Sequence, residues 1–336
     1  MKLIQCWVLI CSVLSLSVKA QDPHFSQYFT SPLTLNPANT GNFEGPSRIA
    51  LNFRNQWQGV GDPFITGTAS FDTDVLKKKM GGGNKLSLGV LGLYDRTTAG
   101  KLTSNYVGTS VAYHLFTKST DEKTSKLSIG FQTSFANRRL DFSKLSFAEQ
   151  FTSYGFDLSL PNYQNFGTAN ISYVDFNTGL MYTESKDYGN IYIGASLYHI
   201  TRPKESFLND QTNRLAMRYT LHGGGTWLAG VNSSIIGSAM LMRQAASTQA
   251  TIGLAYSRQL GTDETNIRVM VGSWYRHKDA VIPYVGYIYN NFQLGVSYDV
   301  NTSGLSTSNS RYRSFEISMI YMFLDRSAYK RFVPWY

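Results

Sequence analysis

Lys126–Ala136 reads KLSIGFQTSFA. Leu127, Ile129, Phe131 and Phe135 fall on one side of an extended chain, and Ser128, Gly130, Gln132, Ser134 and Ala136 on the other. Strand side chains alternate with period two, so this stretch makes a ribbon with one apolar face and one small, polar face. A half-buried strand of a water-soluble protein has the same pattern. Repetition changes the reading, because almost all of the chain beyond residue 47 is built this way. Fourteen stretches alternate: Arg48–Trp57, Pro63–Asp74, Lys85–Asp95, Thr103–Phe116, Lys126–Ala136, Ile171–Thr183, Asn190–Ile200, Arg214–Trp227, Ser234–Gln244, Thr248–Gln259, Thr265–His277, Ala280–Asn290, Asn291–Val300 and Arg313–Leu324. Most are about ten residues long, the length a tilted strand needs to cross a bilayer core. Asn290-Asn291 joins two of them as a tight hairpin turn.

Composition fits a barrel whose apolar faces meet lipid. Only 16% of the 336 residues are charged, against about 25% in ordinary soluble domains. The 22 Tyr and 5 Trp match the aromatic girdles found at both rims of membrane barrels. Residues 1–20 carry Lys2, an apolar run Leu3–Leu16 and the small-residue end Val18-Lys19-Ala20 before Gln21. This is the pattern of a secretory signal peptide. Both cysteines, Cys6 and Cys11, lie inside it, so the mature chain is expected to have no disulfide, cysteine metal site or thiol nucleophile. Beyond it no apolar run reaches eighteen residues, and no transmembrane helix is expected. The division expected is 1–20 leader, 21–47 irregular segment, 48–324 barrel and 325–336 tail.

Loop lengths set the orientation. With both ends of an even-stranded barrel in the periplasm, the long connections 137–170, 201–213 and 301–312 fall outside, and 184–189, 260–264 and the Asn-Asn turn fall inside. Barrels have long outer loops and short periplasmic turns. The register that turns Leu51, Phe53, Phe71, Ile267, Val269 and Phe315 outward puts Arg54, Asp72, Asp74, Asp175, Arg214, Arg218, Arg268, Arg276, Asp299 and Glu316 in the lumen. Charges face lipid only at high cost, whereas inside they can pair or meet water. Abundant Gly, Ser and Ala on that face leave room for a plug or a narrow lumen.

The net charge of +9 does not indicate nucleic acid, because the charges are scattered singly. The dense runs Lys77–Lys79 and Arg138-Arg139 read as solvated loops. The five histidines, His24, His114, His199, His222 and His277, form no HExxH or other metal spacing. His222-Gly223-Gly224-Gly225 matches an oxyanion motif of lipases but lacks a G-x-S-x-G partner and lies on a predicted strand. No enzyme activity, metal or cofactor is expected.

Gln21–Gly41, QDPHFSQYFTSPLTLNPANTG, has three prolines and no clean period. It reads as an ordered irregular segment or a short helix around His24–Phe29. Pro23, His24, Phe25, Tyr28 and Phe29 are its candidate plug residues, against the alternative of a frayed terminus. Thr201–Phe207, TRPKESF, follows a strand directly on the outer side. Pro203 stiffens it, since proline fixes φ and lacks an N–H. Arg202, Lys204, Glu205 and Phe207 place charge beside an aromatic, as partner recognition requires. The alternative is that this loop folds inward and ties strands together.

Several stretches together resemble the PorP/SprF family of type IX secretion system outer-membrane proteins of Bacteroidetes. They are Gln21–Gln27 with Pro32-Leu33, Leu35–Ala38 and Gly41; Asp141–Leu145; Gly194–Phe207; Gly272–Arg276; Asp279–Val281; Gly286-Tyr287 and Tyr298-Asp299. The resemblance runs from Gln21 to about Phe323. The tail Arg331–Tyr336 lacks the cysteine associated with some members. The resemblance implies a non-enzymatic outer-membrane barrel serving export or surface attachment of secreted cargo such as adhesins. It also implies links to gliding and to periplasmic peptidoglycan-associated or secretion-machinery proteins. The alternative function is a porin or small-solute channel, which would need an open lumen.

Overall fold

The computed structural model describes residues 22–58, 63–76, 83–97, 102–120, 123–157, 159–161, 167–207, 210, 212–261, 265–302 and 313–323. The leader, the tail and the Lys77–Lys79 run lie outside these residues. The first strands are β1 (Ser47–Gln58), β2 (Phe64–Asp74), β3 (Lys85–Thr97), β4 (Leu102–Ser119) and β5 (Lys123–Asp141). A small hairpin, β6 (Phe151–Thr152) and β7 (Gly155–Phe156), interrupts the series. There follow β8 (Thr168–Lys186), β9 (Gly189–Tyr198), β10 (Arg218–Gly230), β11 (Ser233–Gln244) and β12 (Ser247–Gln259). The last are β13 (Ile267–Arg276), β14 (Ala280–Tyr289), β15 (Phe292–Asn301) and β16 (Arg313–Met322). All but the small hairpin join in one closed barrel of fourteen strands, in which every neighbour is antiparallel and β16 returns to pair with β1.

The pattern in β14 shows why the chain folds this way. Ala280, Ile282, Tyr284 and Ile288 are buried inside, while Val281, Val285, Tyr287 and Tyr289 are exposed on the outer wall. Pro283 stands in this strand facing outward, and the ladder to β15 is interrupted at positions 282–283, where proline has no N–H to give. Phe131, 54% exposed, and Leu127 and Ile129 face out as the alternation predicts. The hairpin at Asn290-Asn291 forms, with Asn290 in the left-handed region at φ +51.

Four expectations need correction. β4, β5 and β8 run 18, 19 and 19 residues, well past the predicted stretches, because Asn137–Asp141 keeps pairing with Thr168–Ser172 and Lys118-Ser119 of β4 with Thr124-Ser125. The outer connection between β5 and β8 is correspondingly shorter and carries the β6–β7 hairpin. The eighth stretch begins at Arg218, not Arg214, and Arg214 is exposed rather than lumenal. Its backbone is taken by a bridge to Lys204, and its guanidinium donates to the Arg202 carbonyl at 3.2 Å. Of the two readings of residues 22–46, the ordered irregular segment is the one that forms, with no single helix around His24–Phe29. Its residues make short helical turns at Tyr28–Thr30, Pro32–Leu35 and Pro37–Asn39, each of the last two started by a proline in a position that lacks a hydrogen-bond partner anyway.

Candidate functional site

The segment 22–46 runs inside the barrel. It starts at the outer rim, where Asp22 meets the ends of β9, β10 and β11, and descends to the periplasmic rim, where β1 begins. Phe25, Tyr28, Phe29, Leu33, Leu35 and Ala38 are all at most 5% exposed. Phe29 packs on Trp274 and Tyr284, with ring centroids 4.8 and 5.7 Å away. Tyr28 donates its hydroxyl to Ser238 at 2.8 Å. The wall makes room with glycine: a Cβ at Gly130 or Gly179 would collide with Pro37, Ala38 or Asn36. Between Tyr28, Leu35, Arg218 and Met240 a void of about 30 Å³ is left, room for ordered water.

Polar anchors hold the segment at every level. Near the outer side Glu316 accepts from the backbone N–H groups of both Ser26 and Gln27, the latter at 2.8 Å. Asp299 accepts from the Ser26 hydroxyl and pairs with Arg54 at 3.1 Å and Arg276 at 2.7 Å. Arg54 also bonds Glu316 and the His24 carbonyl. Halfway down, Asn36 reaches the Leu180 carbonyl and His222, at 3.0 and 3.1 Å. At the periplasmic side Asp72 accepts from Gly41 N–H and pairs with Arg48, while Arg48 donates to the Asn39 carbonyl. His114 meets the Thr40 carbonyl at 2.8 Å, and Lys85 bonds the Gly41 carbonyl and Asp74. Buried charges of this kind persist only when paired and hydrogen-bonded.

At the outer rim His199 stands one residue past the end of β9, with φ +60. Its two ring nitrogens meet Asp175 at 2.8 Å and Asp22 at 2.6 Å. Burial draws the imidazole's affinity for a proton down, but the carboxylates of Asp22 and Asp175 outweigh it and push the pKa up to about 9. Arg218 completes the cluster by pairing with Asp22 at 2.9 Å. The chain then turns outward. Arg202, at φ +46, and Lys204 are exposed, Pro203 is buried, and Glu205 and Phe207 are half-buried. The Pro203 carbonyl accepts from Leu215 N–H, and Glu205 N–H donates to the Asn213 carbonyl, so residues 203–205 are tied to residues 213–215. Glu205 pairs with Arg138 of β5, and Leu215 packs with Ala136 and Tyr173. Farther along, Thr212 donates its hydroxyl and N–H to Asp210, which holds that carboxyl below the usual range.

Of the predicted plug residues, Pro23 and His24 line the upper segment and Phe25, Tyr28 and Phe29 are buried in it. Eight of the ten predicted lumen charges join the anchoring pairs just described: Arg54, Asp72, Asp74, Asp175, Arg218, Arg276, Asp299 and Glu316. Arg268 also faces inward but bonds Asn266 and Gln259 near the periplasmic end. Of the 202–207 group, Arg202 and Lys204 point to solvent, and the tie to the wall is made by Glu205. Sequence reasoning gave no role to His114, His199, His222 or Asn36; lone histidines carry no motif, and the contacts that tie them to the segment, His114 to Thr40, His199 to Asp22 and His222 to Asn36, span 74 or more residues. His222-Gly223-Gly224-Gly225 is a crowding device, since a Cβ at Gly224 would meet the Gly237 carbonyl and the Tyr192 hydroxyl.

Among solved structures, the Ralstonia pickettii toluene transporter TbuX is similar at 11% identity and TM-score 0.47, over 87% of this chain and 92% of that one. A Pseudomonas aeruginosa FadL homologue matches at 10% identity and TM-score 0.45, over 86% and 93%. The Pseudomonas putida toluene transporter TodX matches at 10% and 0.44, over 89% and 93%. Likeness at this level says nothing about what is bound. No match was found among curated proteins. A family model described as type IX secretion system membrane protein PorP/SprF matches residues 17–321. With nearly the whole chain covered, this outer-membrane β-barrel belongs to the PorP/SprF family of type IX secretion system membrane proteins.

Proposed function

We propose that the protein is a closed, non-enzymatic platform that supports export or surface attachment of type IX cargo, such as an adhesin, at its outer rim. The observation that carries this reading is the filled lumen. With Ser26, Gln27, Asn36 and Gly41 each bound to the wall, the segment occupies the path a solute would take. The surface left for a partner is then the rim itself. There the loop 202–207 is stiffened by Pro203 and by the Glu205–Arg138 pair, with Arg202 and Lys204 exposed on its surface. A loop on a rigid scaffold with exposed charge suits recognition of a protein partner. Periplasmic machinery proteins are the second class of partner this role implies.

The test replaces Arg202, Lys204 and Phe207 together with alanine and scores heat stability of the barrel and display of cargo on the cell surface. Cargo lost from a barrel of unchanged stability supports the platform. Normal display, or a destabilised barrel, rejects it for this loop. A steady ion conductance of the intact barrel in a planar bilayer would favour a solute channel instead.

A further inference from the structure

On the outer wall, β9–β13 form a groove of about 500 Å³ that the lumen network does not use. Its sides are Ile193, Leu221, Leu241 and Ile252, each about half exposed, and its floor is Gly223, Ala239 and Ala250. All face away from the lumen, so the groove opens toward lipid. Small residues cause it: in register, Gly223 lies opposite Ala239, and Leu241 opposite Ala250, so long side chains stand around a shallow trough.

The outer end of this groove changes character abruptly. Arg243 faces out one residue before the end of β11, with Tyr219 beside it in register. Across β12, His277 and Lys278 are exposed in the turn after β13, and His277 donates its backbone N–H to the Ala250 carbonyl that borders the trough. The Tyr275 ring stacks edge-on to His277 at 6.2 Å. Two strand spacings, about 10 Å, separate Arg243 from this turn. Among the described residues, neither Arg243 nor Lys278 has a side-chain hydrogen bond or ion pair. The one carboxylate in the turn, Asp279, is taken by Arg276.

An apolar trough ending in unpaired cations at the level of the outer headgroups matches a ligand with acyl chains below and anionic groups above. We propose that it holds an acyl chain of a phosphorylated, multiply acylated glycolipid of the outer leaflet, with its phosphates seated between Arg243 and the His277–Lys278 turn. A zwitterionic phospholipid would leave both cations without a net counter-charge. Basic residues at the headgroup level beside an apolar surface are the general device by which membrane proteins select anionic lipids.

The folded barrel is placed in nanodiscs of phosphatidylethanolamine containing a small fraction of bisphosphorylated lipid A. It is then released into mild detergent and weighed intact by native mass spectrometry. The expected result is one lipid A retained on the wild type. Arg243→Ala with Lys278→Ala should lower retention roughly tenfold, since each surface cation contributes to anionic-lipid binding. Ala239→Phe, which fills the trough, should abolish it. Dephosphorylated lipid A should be retained no better than phosphatidylethanolamine. Heat-modifiable mobility on gels checks folding, and should Ala239→Phe fail there, the double alanine variant carries the test alone. Unchanged retention in the double variant, or equal retention of dephosphorylated lipid A, overturns the site. Retention of phosphatidylglycerol equal to that of lipid A overturns the glycolipid assignment.

Discussion

Ile129 and Gln132 lie three residues apart on β5 and meet opposite environments. Ile129 is exposed on the lipid face, whereas Gln132 is 3% exposed, donates to the Leu33 carbonyl and accepts from Asn177. Ile129→Arg near mid-membrane should cost about 2–4 kcal/mol, measured by folding into lipid vesicles. Alternation alone made the lumen side look permissive, but the segment packed on Gln132 removes that tolerance. Gln132→Arg should therefore also destabilise, by displacing Leu33, and equal stability of this variant and wild type would contradict the packing. His199 gives a pH dependence. Its pKa is raised in the folded barrel, so the stabilisation is fully present below the ordinary histidine value and is lost as pH rises through about 9. Heat stability should fall between roughly pH 7 and 9, and His199→Gln should flatten that part of the profile. A profile identical in the two proteins would show that the Asp22–His199–Asp175 cluster does not hold the rim.

The segment 22–46 and the strands that contact it form a fitted pair. Gly130 on β5 and Gly179 on β8 are the points of nearest approach, where Pro37, Ala38 and Asn36 leave no space for a side chain. Gly130→Leu should expel the lower half of the segment while keeping the strand alternation. The expected readout is protease sensitivity between Pro32 and Phe43 and a lower unfolding temperature. Overpacking a filled interior typically costs about 1–3 kcal/mol, so a variant as stable and as protected as wild type would argue that the segment is only loosely lodged. The elements were legible from the sequence for a physical reason. Strand alternation is a local signal, and all fourteen barrel strands were found from it. Their ends were less so: Asn137–Asp141 continues β5 only because Thr168–Ser172 is there to pair with it. The left-handed turn at His199 sits on its contact with Asp22, remote in sequence, and the bridge from Lys204 to Arg214, which removed Arg214 from the lumen, joins Arg214 to a residue that carries no strand pattern of its own. Charged lumen residues could be assigned to a face by parity. Which carboxylate each would meet could not, since Arg54 finds Asp299 and Glu316 from the opposite end of the chain.

At the scale of the whole molecule, the barrel is a ring whose ends meet at the β1–β16 seam, where Arg48 pairs in register with Met322 and Arg54 with Glu316. Deleting residues 23–36 should leave the ring intact but open it, giving a measurable bilayer conductance absent from the wild type. An equally silent deletion variant of unchanged thermal stability would mean that the lumen is closed by something other than this segment. The route of the segment also bears on biogenesis. Its residues leave the ribosome before any strand, yet Ser26 and Gln27 bind Glu316 and Gln27 binds Ser297, all near the end of the chain. Synthesis order and docking order are therefore reversed: the first-made part has its partners delivered last. Until β16 arrives, half the sockets for Ser26 and Gln27 do not exist. The insertion machinery must either hold the sheet open around the threaded segment or admit it end-on into a sealed cylinder. Pulse proteolysis during assembly separates the two routes, since in the first the segment becomes protected together with seam closure and in the second only after it.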